Sequence, residues 1–441
     1  MGVAVIELND QELRVAQDGN IVVRSPAGAI VQGAEIKIGD AACREAYLHP
    51  RDHHNRFWYQ LDQSGLPRSS REARHHADLA FKHLKHSHRA AGSPASMVFA
   101  IPGGYSKAQL ALLLGIAEAC KIDVRAFVDS AVAAAVCVAP GMFYHIEIQR
   151  HRAVITELMI DDNVTRTNVE TVDGAGFDNL MTRFVTLVSD QFLTQSRFDP
   201  LHQANTEQLL YNEMPKWLTL LQSRRELKVH IEFRGSRFDA RISKSDLISV
   251  AEQTYLDIHN RITRNDRCLI GSRLATMPGF LESRANQFVL TETAVFDGCA
   301  QLTRQLNDKK QGVGLLIKLE ASSSPTIAVE TSVTKTVPPK STRPDNTPTH
   351  VLSGINAYEI TTTPLFLSKT GEALRTSSDC VVAHVTRNGT VTRLVTQNDA
   401  RLRLNGQAVG SDAPLRLGDE ITVEGSPCIY LPITVVPSAN A

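Results

Sequence analysis

The apolar positions along this chain alternate between two periods. Val3 to Val23, rich in valine and isoleucine, reads as two strands joined at Gln17-Asp18-Gly19-Asn20; a third strand is expected near Ile30 to Ile38. Asp40 to Tyr47 reads as a short helix ended by His49-Pro50. Ser69-Ser70 can cap a helix from about Arg71 to Arg89, with Glu72 in its first turn. Met97 to Ile101 is an unbroken apolar run, as buried strands are, and Val124 to Val128 also reads as a strand. Between them Ser106 caps a helix, Lys107 to Cys120, that is apolar nearly all round and is expected to be buried; Ala131 to Val138 predicts a small-residue helix. A β-rich stretch runs from Tyr144 to Val172. Two long helices follow, about Phe177 to Phe192 and Thr206 to Leu221. A hairpin, Val229 to Phe233 and Phe238 to Ile242, turns around Arg234-Gly235-Ser236. Ser243 or Ser245 can cap a helix from Asp246 to Thr263, Cys268 to Ile270 is a short strand, and Ala294 to Leu306 a late helix. Helices mixed with strands in this way indicate α/β layers.

From Ala321 to Thr349 serine, threonine and proline take over, and such a segment cannot bury a core. Beyond it, Val351 to Val436 is strand-like, with turns at Arg387-Asn388-Gly389, Asn405-Gly406 and Leu417-Gly418-Asp419, the pattern of a β-sandwich. The expected domains are therefore 1–318, a linker at 319–349, and 350–441. No solenoid-type repeat is visible.

Composition narrows the function classes. The 47 lysines and arginines equal the 47 aspartates and glutamates, so no wholesale nucleic-acid binding is indicated. The seven cysteines are scattered without a Cys-x-x-Cys pair, which suits buried thiols in a reducing compartment better than zinc or disulfides. The most apolar stretch, Ala126 to Tyr144, is broken by Asp129, Ser130 and Pro140, so no membrane span is expected. The chain opens on a strand without a basic leader, and a cytoplasmic location is expected. His53-His54 and the run His75, His76, His83, His86, His88 suggest a metal site, with His83 and His86 as neighbours on one helix. Arg74, Lys82, Lys85 and Arg89 are interleaved with them, which points instead to a solvated basic face. Asp10, Asp129, Asp173 and Asp178 have no nucleophile beside them, and no hydrolase signature occurs.

A set of short motifs recurs in one order. Ser96-Met97-Val98-Phe99-Ala100-Ile101-Pro102-Gly103-Gly104-Tyr105 leads into Ser106-Lys107-Ala108-Gln109-Leu110 and then Val128-Asp129-Ser130-Ala131-Val132-Ala133-Ala134-Ala135. Gly174-Ala175-Gly176-Phe177-Asp178-Asn179 follows, then Glu213-Met214-Pro215-Lys216, Cys268-Leu269-Ile270-Gly271-Ser272-Arg273 and Val295-Phe296-Asp297-Gly298-Cys299-Ala300. Together these resemble the ATPase domain of DnaK-type heat-shock chaperones in the actin-like superfamily. The resemblance implies an α/β, two-lobed fold: lobe I over about 1–142 plus the last helix, and lobe II over about 143–293. It also implies a nucleotide cleft at Glu7, Asn9, Asp10, Glu147, Gln149, Arg150, Arg152, Gly174, Glu213, Lys216, Gly271 and Arg273.

The departures from the family gather at the phosphates. Its first phosphate turn, Asp-Leu-Gly-Thr-Thr, is Glu7-Leu8-Asn9-Asp10-Gln11 here. Its second, Asp-Leu-Gly-Gly-Gly-Thr, falls at Glu147-Ile148-Gln149-Arg150-His151-Arg152, with no glycine. Glycine lets backbone N–H groups close on phosphate oxygens without a Cβ in the way. Glu7 and Glu147 could hold a hydrated magnesium, but the cradle is lost and Asp10 would repel phosphate. Two arrangements follow from Arg150 and Arg152: they pair with Glu7 or Glu147 and lock the cleft, or they bind phosphate directly.

The C-terminal stretch resembles a forkhead-associated domain through Leu404-Asn405-Gly406-Gln407-Ala408-Val409 and Pro414-Leu415-Arg416-Leu417-Gly418-Asp419-Glu420-Ile421. That family reads phosphothreonine with a Ser-Arg-x-His loop, which here is Asp379-Cys380-Val381-Val382. Asp379 opposes an anion and Val382 stands where the histidine belongs, beside Asn405 and Gly406 of the hairpin. The expected function is thus a non-catalytic, pseudo-ATPase scaffold or adaptor that binds other proteins, with no catalytic residue, metal or cofactor. The alternatives are a divergent ATP-dependent chaperone-like ATPase using ATP or ADP with magnesium, and a cleft that binds another anion through its arginines.

Overall fold

Two six-stranded mixed sheets lie at the centre of the N-terminal part of the chain, and five strands of each follow the same order. In the first, Ala4–Leu8, Glu12–Gln17 and Asn20–Pro26 form an antiparallel meander, and Ser96–Ile101 and then Asp123–Asp129 add in parallel beside Ala4–Leu8. In the second, Gly141–Ile148, Arg152–Ile160 and Asn163–Asp173 form the meander, and Cys268–Ile270 and Gln287–Val289 add in parallel. In a computed structural model the chain divides into two compact units, Met1–Thr331 and Ser332–Ala441. The structure describes residues 3–263, 266–284, 286–305, 314–322, 348–353, 356–361, 363–370, 373–374, 381–388, 391–396, 402–415, 419–424, 426 and 429–433.

Strand alternation distributes the core of the first unit. Ile6 and Leu8 point to one face of the first sheet, against helices His76–Ala90 and Lys107–Ala119; Val5, Val98 and Val128 point to the other. That second face shares a core with Phe143, Leu158 and Ile160 of the second sheet. The far face of the second sheet is covered by Phe177–Ser196, Ala204–Gln222 and Lys244–His259, where Trp217 is buried. Lys244–His259 is capped by Ser243. Leu315–Leu316 joins the first sheet and Lys318–Glu320 the second, so strand structure runs into the segment expected to be linker.

Several elements differ from expectation for physical reasons. The stretch from Val3 holds three strands, because the chain also turns at Asn9-Asp10-Gln11, where the Asn9 side-chain oxygen accepts the Gln11 N–H at 2.9 Å. Ile30 to Ile38 is a hairpin, Ala29–Gln32 and Glu35–Ile38, turned at Gly33 with φ +62°. The helix expected from Arg71 starts at His76, preceded by the hairpin Gly65–Ser70 and Ala73–His75. Ser70 accepts the N–H groups of Glu72 and Ala73 within that turn, and the Asp78 carboxylate accepts those of Arg74 and His75. The helix Lys107–Ala119 buries only Leu113, Ile116 and Ala117; its small residues Ala108, Ala111 and Gly115 are exposed, since they carry too little apolar surface to demand cover.

The histidine helix is a solvated basic face only in part: His86 and Arg89 are exposed, but three of its histidines are not. His76, His83 and His88 are buried. His83 accepts the Trp58 indole N–H at 2.9 Å and bonds Ser25 Oγ at 2.8 Å, and burial drops its pKa to about 3. Among the described residues no three His, Cys, Asp or Glu side chains gather as a metal site would need, and no helix is long and apolar enough to cross a membrane.

The C-terminal unit is all-β: two antiparallel sheets share a core that includes Val351, Leu367, Val385, Leu394, Ile421 and Tyr430. Asn405 and Gly406, at φ +52° and +78°, turn Leu402–Leu404 into Gln407–Ala408. Asn405 Nδ2 donates to Asp419 at 2.9 Å, and its side-chain oxygen accepts the Glu420 N–H at 2.8 Å. Val382 is fully buried within the strand Val381–Asn388. Asp379 lies outside the described residues.

Candidate functional site

The two glycine-free turns meet. The first follows Ala4–Leu8, the second joins Gly141–Ile148 to Arg152–Ile160, and both lie at the ends of central strands. Asn9 links them, its Nδ2 donating to Glu147 Oε1 and to the Ile148 carbonyl, each at 3.1 Å. The Arg150 N–H donates to an Asp10 carboxyl oxygen. An oxygen supplied by the chain itself thus takes the backbone donor of the second turn. The N-terminus of Phe177–Ser196 is consumed in the same way, because the Phe177 and Asp178 N–H groups donate to the Gln149 and Arg150 carbonyls at 2.9 Å. This contact depends on Gly176: a Cβ there would lie 2.4 Å from the Arg150 oxygen.

Arg273 forms the second tie. It is buried, donates to both Glu7 oxygens at 2.8 and 3.1 Å, and reaches Glu147 at 3.2 Å and Glu12 at 3.7 Å. Glu7 also faces Arg14 across the hairpin. Burial pushes the Glu7 carboxyl up, but Arg273, with Arg14 behind it, holds it below the ordinary value. Glu147 shares the same guanidinium at longer range; burial raises it to about 7 against Arg273, with Glu7 adding to the rise. Gly271 gives Glu147 its space, since a Cβ at Gly271 would stand 2.3 Å from Glu147 Oε2. Burial also raises Asp10, against the Arg150 N–H.

The expected pairing of arginines to acids is corrected in one respect: the arginine that meets Glu7 and Glu147 is Arg273. Arg150 is held by the Asp10 and Gln11 carbonyls, at 3.2 and 3.3 Å, and by Asp178 at 3.1 Å. Arg152 donates to Gln149 Oε1 at 2.9 Å and lies over the Tyr59 ring. Gly174 supports the turn before the helix with φ +78°. Glu213 and Lys216 stay apart from this cluster, pairing with each other on an exposed surface at 3.8 Å.

No protein-family model and no curated protein matches the chain. The site is accordingly described by its own geometry.

Beside the joined turns lies a cavity of about 800 Å³. Its floor includes Gln11, Arg150 and Arg273, and its walls include Cys43, His53, Phe177, Met181 and the ring pair Tyr47–Tyr211, stacked at 3.8 Å. Gln208 closes one side, accepting the Tyr47 N–H at 2.8 Å and donating to the Cys43 carbonyl at 3.2 Å. The sequence pattern gave no sign of Tyr47, Gln208 or Tyr211, which come together from distant segments. Arg14 had a local signal, its position opposite Glu7, which was hidden by the missed turn at Asn9.

The magnesium and nucleotide that the resemblance implies do not fit this donor set. A guanidinium stands between the two carboxylates that would face the metal, and the Gln149 and Arg150 N–H groups of the second turn are bonded within the chain.

Proposed function

We propose that this chain is a non-catalytic adaptor built on an actin-like, DnaK-type two-lobed ATPase fold, with a forkhead-associated-like docking module at its C-terminus, and that it acts by binding other proteins. The observation that carries this reading is the double tie between the turns, through Asp10 to the Arg150 N–H and through Arg273 to Glu7 and Glu147. Hydrolysis needs positioned phosphate, metal and water together, and the ties take up the groups that would position them. The five-strand order that recurs in the two sheets supports the fold assignment, because an actin-like protein is built from two related halves.

The ATPase alternative would require both ties to break. The anion-binding alternative would require arginines free to engage a ligand, whereas Arg150 and Arg152 are held by the chain's own oxygens. For the C-terminal module, burial of Val382 favours docking by a face other than the phosphothreonine loop.

The test is titration of ATP and ADP, with magnesium, into the protein, followed by calorimetry and melting. No shift is expected at millimolar nucleotide. Stabilisation approaching about 2.7 kcal/mol, the value for a ligand at roughly a hundredfold excess over its Kd, would overturn the reading. A phosphothreonine peptide library compared with its unphosphorylated counterpart tests the second module, with no preference expected.

A further inference from the structure

The hairpin of Glu226–Phe233 and Ser236–Ser243 is a sheet of only two strands, so each strand has an outer edge. Its two-residue turn, Arg234-Gly235, at φ +52° and +77°, fixes which groups face outward. Phe233 and Ser236 flank that turn as a hydrogen-bonded pair. The alternation that follows leaves the N–H and C=O groups of Glu226, Lys228, His230 and Glu232 pointing away from the partner strand. On the other strand the same rule turns Arg237, Asp239, Arg241 and Ser243 outward. That second edge is occupied: Gln195 Nε2 donates to the Arg241 carbonyl at 3.0 Å, Gln195 Oε1 accepts the Arg241 N–H at 2.8 Å, and Ser196 Oγ donates to the Asp239 carbonyl at 2.8 Å.

The edge of Glu226–Phe233 has no such cover. Among the described residues no group outside the hairpin bonds to its backbone. The pairing runs for all eight of its residues without a bulge. Glu226, Lys228, His230 and Glu232 are exposed, while Leu227, Val229 and Ile231 are buried against the helices beneath. A regular edge of this kind is a template for a further strand. Charge specifies which strand. Along the exposed face the order is Glu226, Lys228, His230, Glu232, Arg234, so positions equally far from His230 on its two sides carry opposite signs. Glu232 and Arg234 have no ion pair among the described residues, whereas Lys228 and Glu226 reach Asp239 at 3.4 Å and Arg241 at 3.5 Å inside the hairpin.

We propose that two copies of this chain pair antiparallel along Glu226–Phe233, with the two-fold axis at His230, joining two hairpins into one four-stranded sheet. In that register Lys228 lies opposite Glu232 of the second copy, and Glu226 opposite Arg234 of the second copy, each twice by symmetry. His230 meets its own symmetry mate. A shift of two residues either way sets Glu226 against Glu232 or Lys228 against Arg234, like charge against like, so the register is specified. The contact is one strand wide, smaller than a standard interface, and forms a reversible dimer with a Kd on the order of 10–100 µM. None of these residues lines the cavity or belongs to the tied turns, so the dimer stands whether or not nucleotide binds.

Sedimentation equilibrium of the protein tests this, with a dimer fraction expected to rise with concentration between about 5 and about 500 µM. His230→Pro removes an outward N–H that no intrachain bond uses, so the hairpin keeps its ladder and the dimer is lost. An unchanged melting temperature checks the fold of that variant; where it melts early, the charge variants decide. Lys228→Glu and Glu232→Lys should each weaken the dimer roughly tenfold, because each sets like charges opposite each other twice. Mixed in equal amounts, the two variants should pair with each other about as tightly as the parent pairs with itself, since the opposed charges again differ in sign. A parent protein that stays monomeric at about 500 µM overturns the proposal, even if the edge takes a strand from some other protein. So does self-association that survives His230→Pro, or a mixture of the two charge variants that associates no more tightly than either alone. ATP binding would sink the pseudo-ATPase reading and leave this dimer untouched.

Discussion

Glu147→Gln should remove a large part of the pH dependence of the N-terminal unit's stability. Glu147 is buried beside Glu7 and shares the Arg273 guanidinium with it. Burial raises its pKa from 4.5 to about 7. A raised carboxyl favours the protonated form in the fold, so its contribution is complete below about pH 4.5 and is lost as pH climbs through about 7. At about 1.4 kcal/mol per pKa unit, the loss totals about 3 kcal/mol, most of it between about pH 5 and about pH 8. Glu7 is shifted the other way, so its contribution is already present at the acid end of this window. The amide of the variant keeps an oxygen for Asn9 and Arg273 but cannot ionise. Both tryptophans of the chain, Trp58 and Trp217, lie in this unit, so urea unfolding followed by tryptophan fluorescence reports on it alone. The histidines that titrate in the same range cancel when variant and parent are compared. The variant should gain on the parent by about 2–3 kcal/mol from about pH 5 to about pH 8. A difference that stays within about 0.5 kcal/mol across the range would refute the account of two buried carboxylates sharing one guanidinium.

Three further outcomes follow from the same geometry. Arg273→Ala leaves Glu7 and Glu147 buried without their cation and should cost about 3–5 kcal/mol in urea unfolding, most of it recovered when both glutamates are also made glutamine. Gly176→Ala drives a Cβ against the Arg150 carbonyl and should cost about 1–3 kcal/mol, read as a lower melting temperature. His83→Ala removes the partner of the Trp58 indole and opens a void, so it should cost about 2–4 kcal/mol and alter Trp58 emission, while chelators leave the parent protein's melting unchanged.

How much could be read in advance depended on how local the deciding interaction is. Ser96–Ile101 and Cys268–Ile270 were legible because unbroken apolar runs serve strands covered on both faces, and Asp123–Asp129 because its apolar residues are interrupted only at Arg125. The hairpin at Arg234-Gly235 was legible because two consecutive positive-φ residues match a tight turn. The turn at Asn9-Asp10-Gln11 was not, since none of the three is glycine or proline, although the four polar residues Asn9 to Glu12 do interrupt the apolar pattern there. Missing that turn also hid the facing pair Glu7 and Arg14, which any correct register would have exposed. His83 misled for a related reason: a histidine among lysines looks solvated until Trp58 and Ser25 are known to meet it, and neither is near it in sequence.

Arg273 is the extreme case, 266 residues from Glu7. Its local motif placed it on the nucleoside side of a cleft, as a residue that would touch a cofactor. Nothing within ten residues of it announces a partner at the other end of the chain. Yet the loss of every glycine at Gln149, Arg150 and His151, together with retained acids at Glu7 and Glu147, already left two carboxylates with no metal cradle between them. Two buried carboxylates at close range require a cation, and the chain's own basic residues were the only source visible in the sequence. Arg150 and Arg152 seemed the natural candidates because they are adjacent. Their carbonyl and side-chain partners, Asp10, Gln11 and Gln149, sit within the same turns and satisfy them there. The demand for charge at Glu7 and Glu147 therefore passed to an arginine held by another strand, Cys268–Ile270, whose position beside Gly141–Ile148 sets the distance. The need for a cation could be inferred from the sequence, whereas its supplier was fixed only by sheet topology.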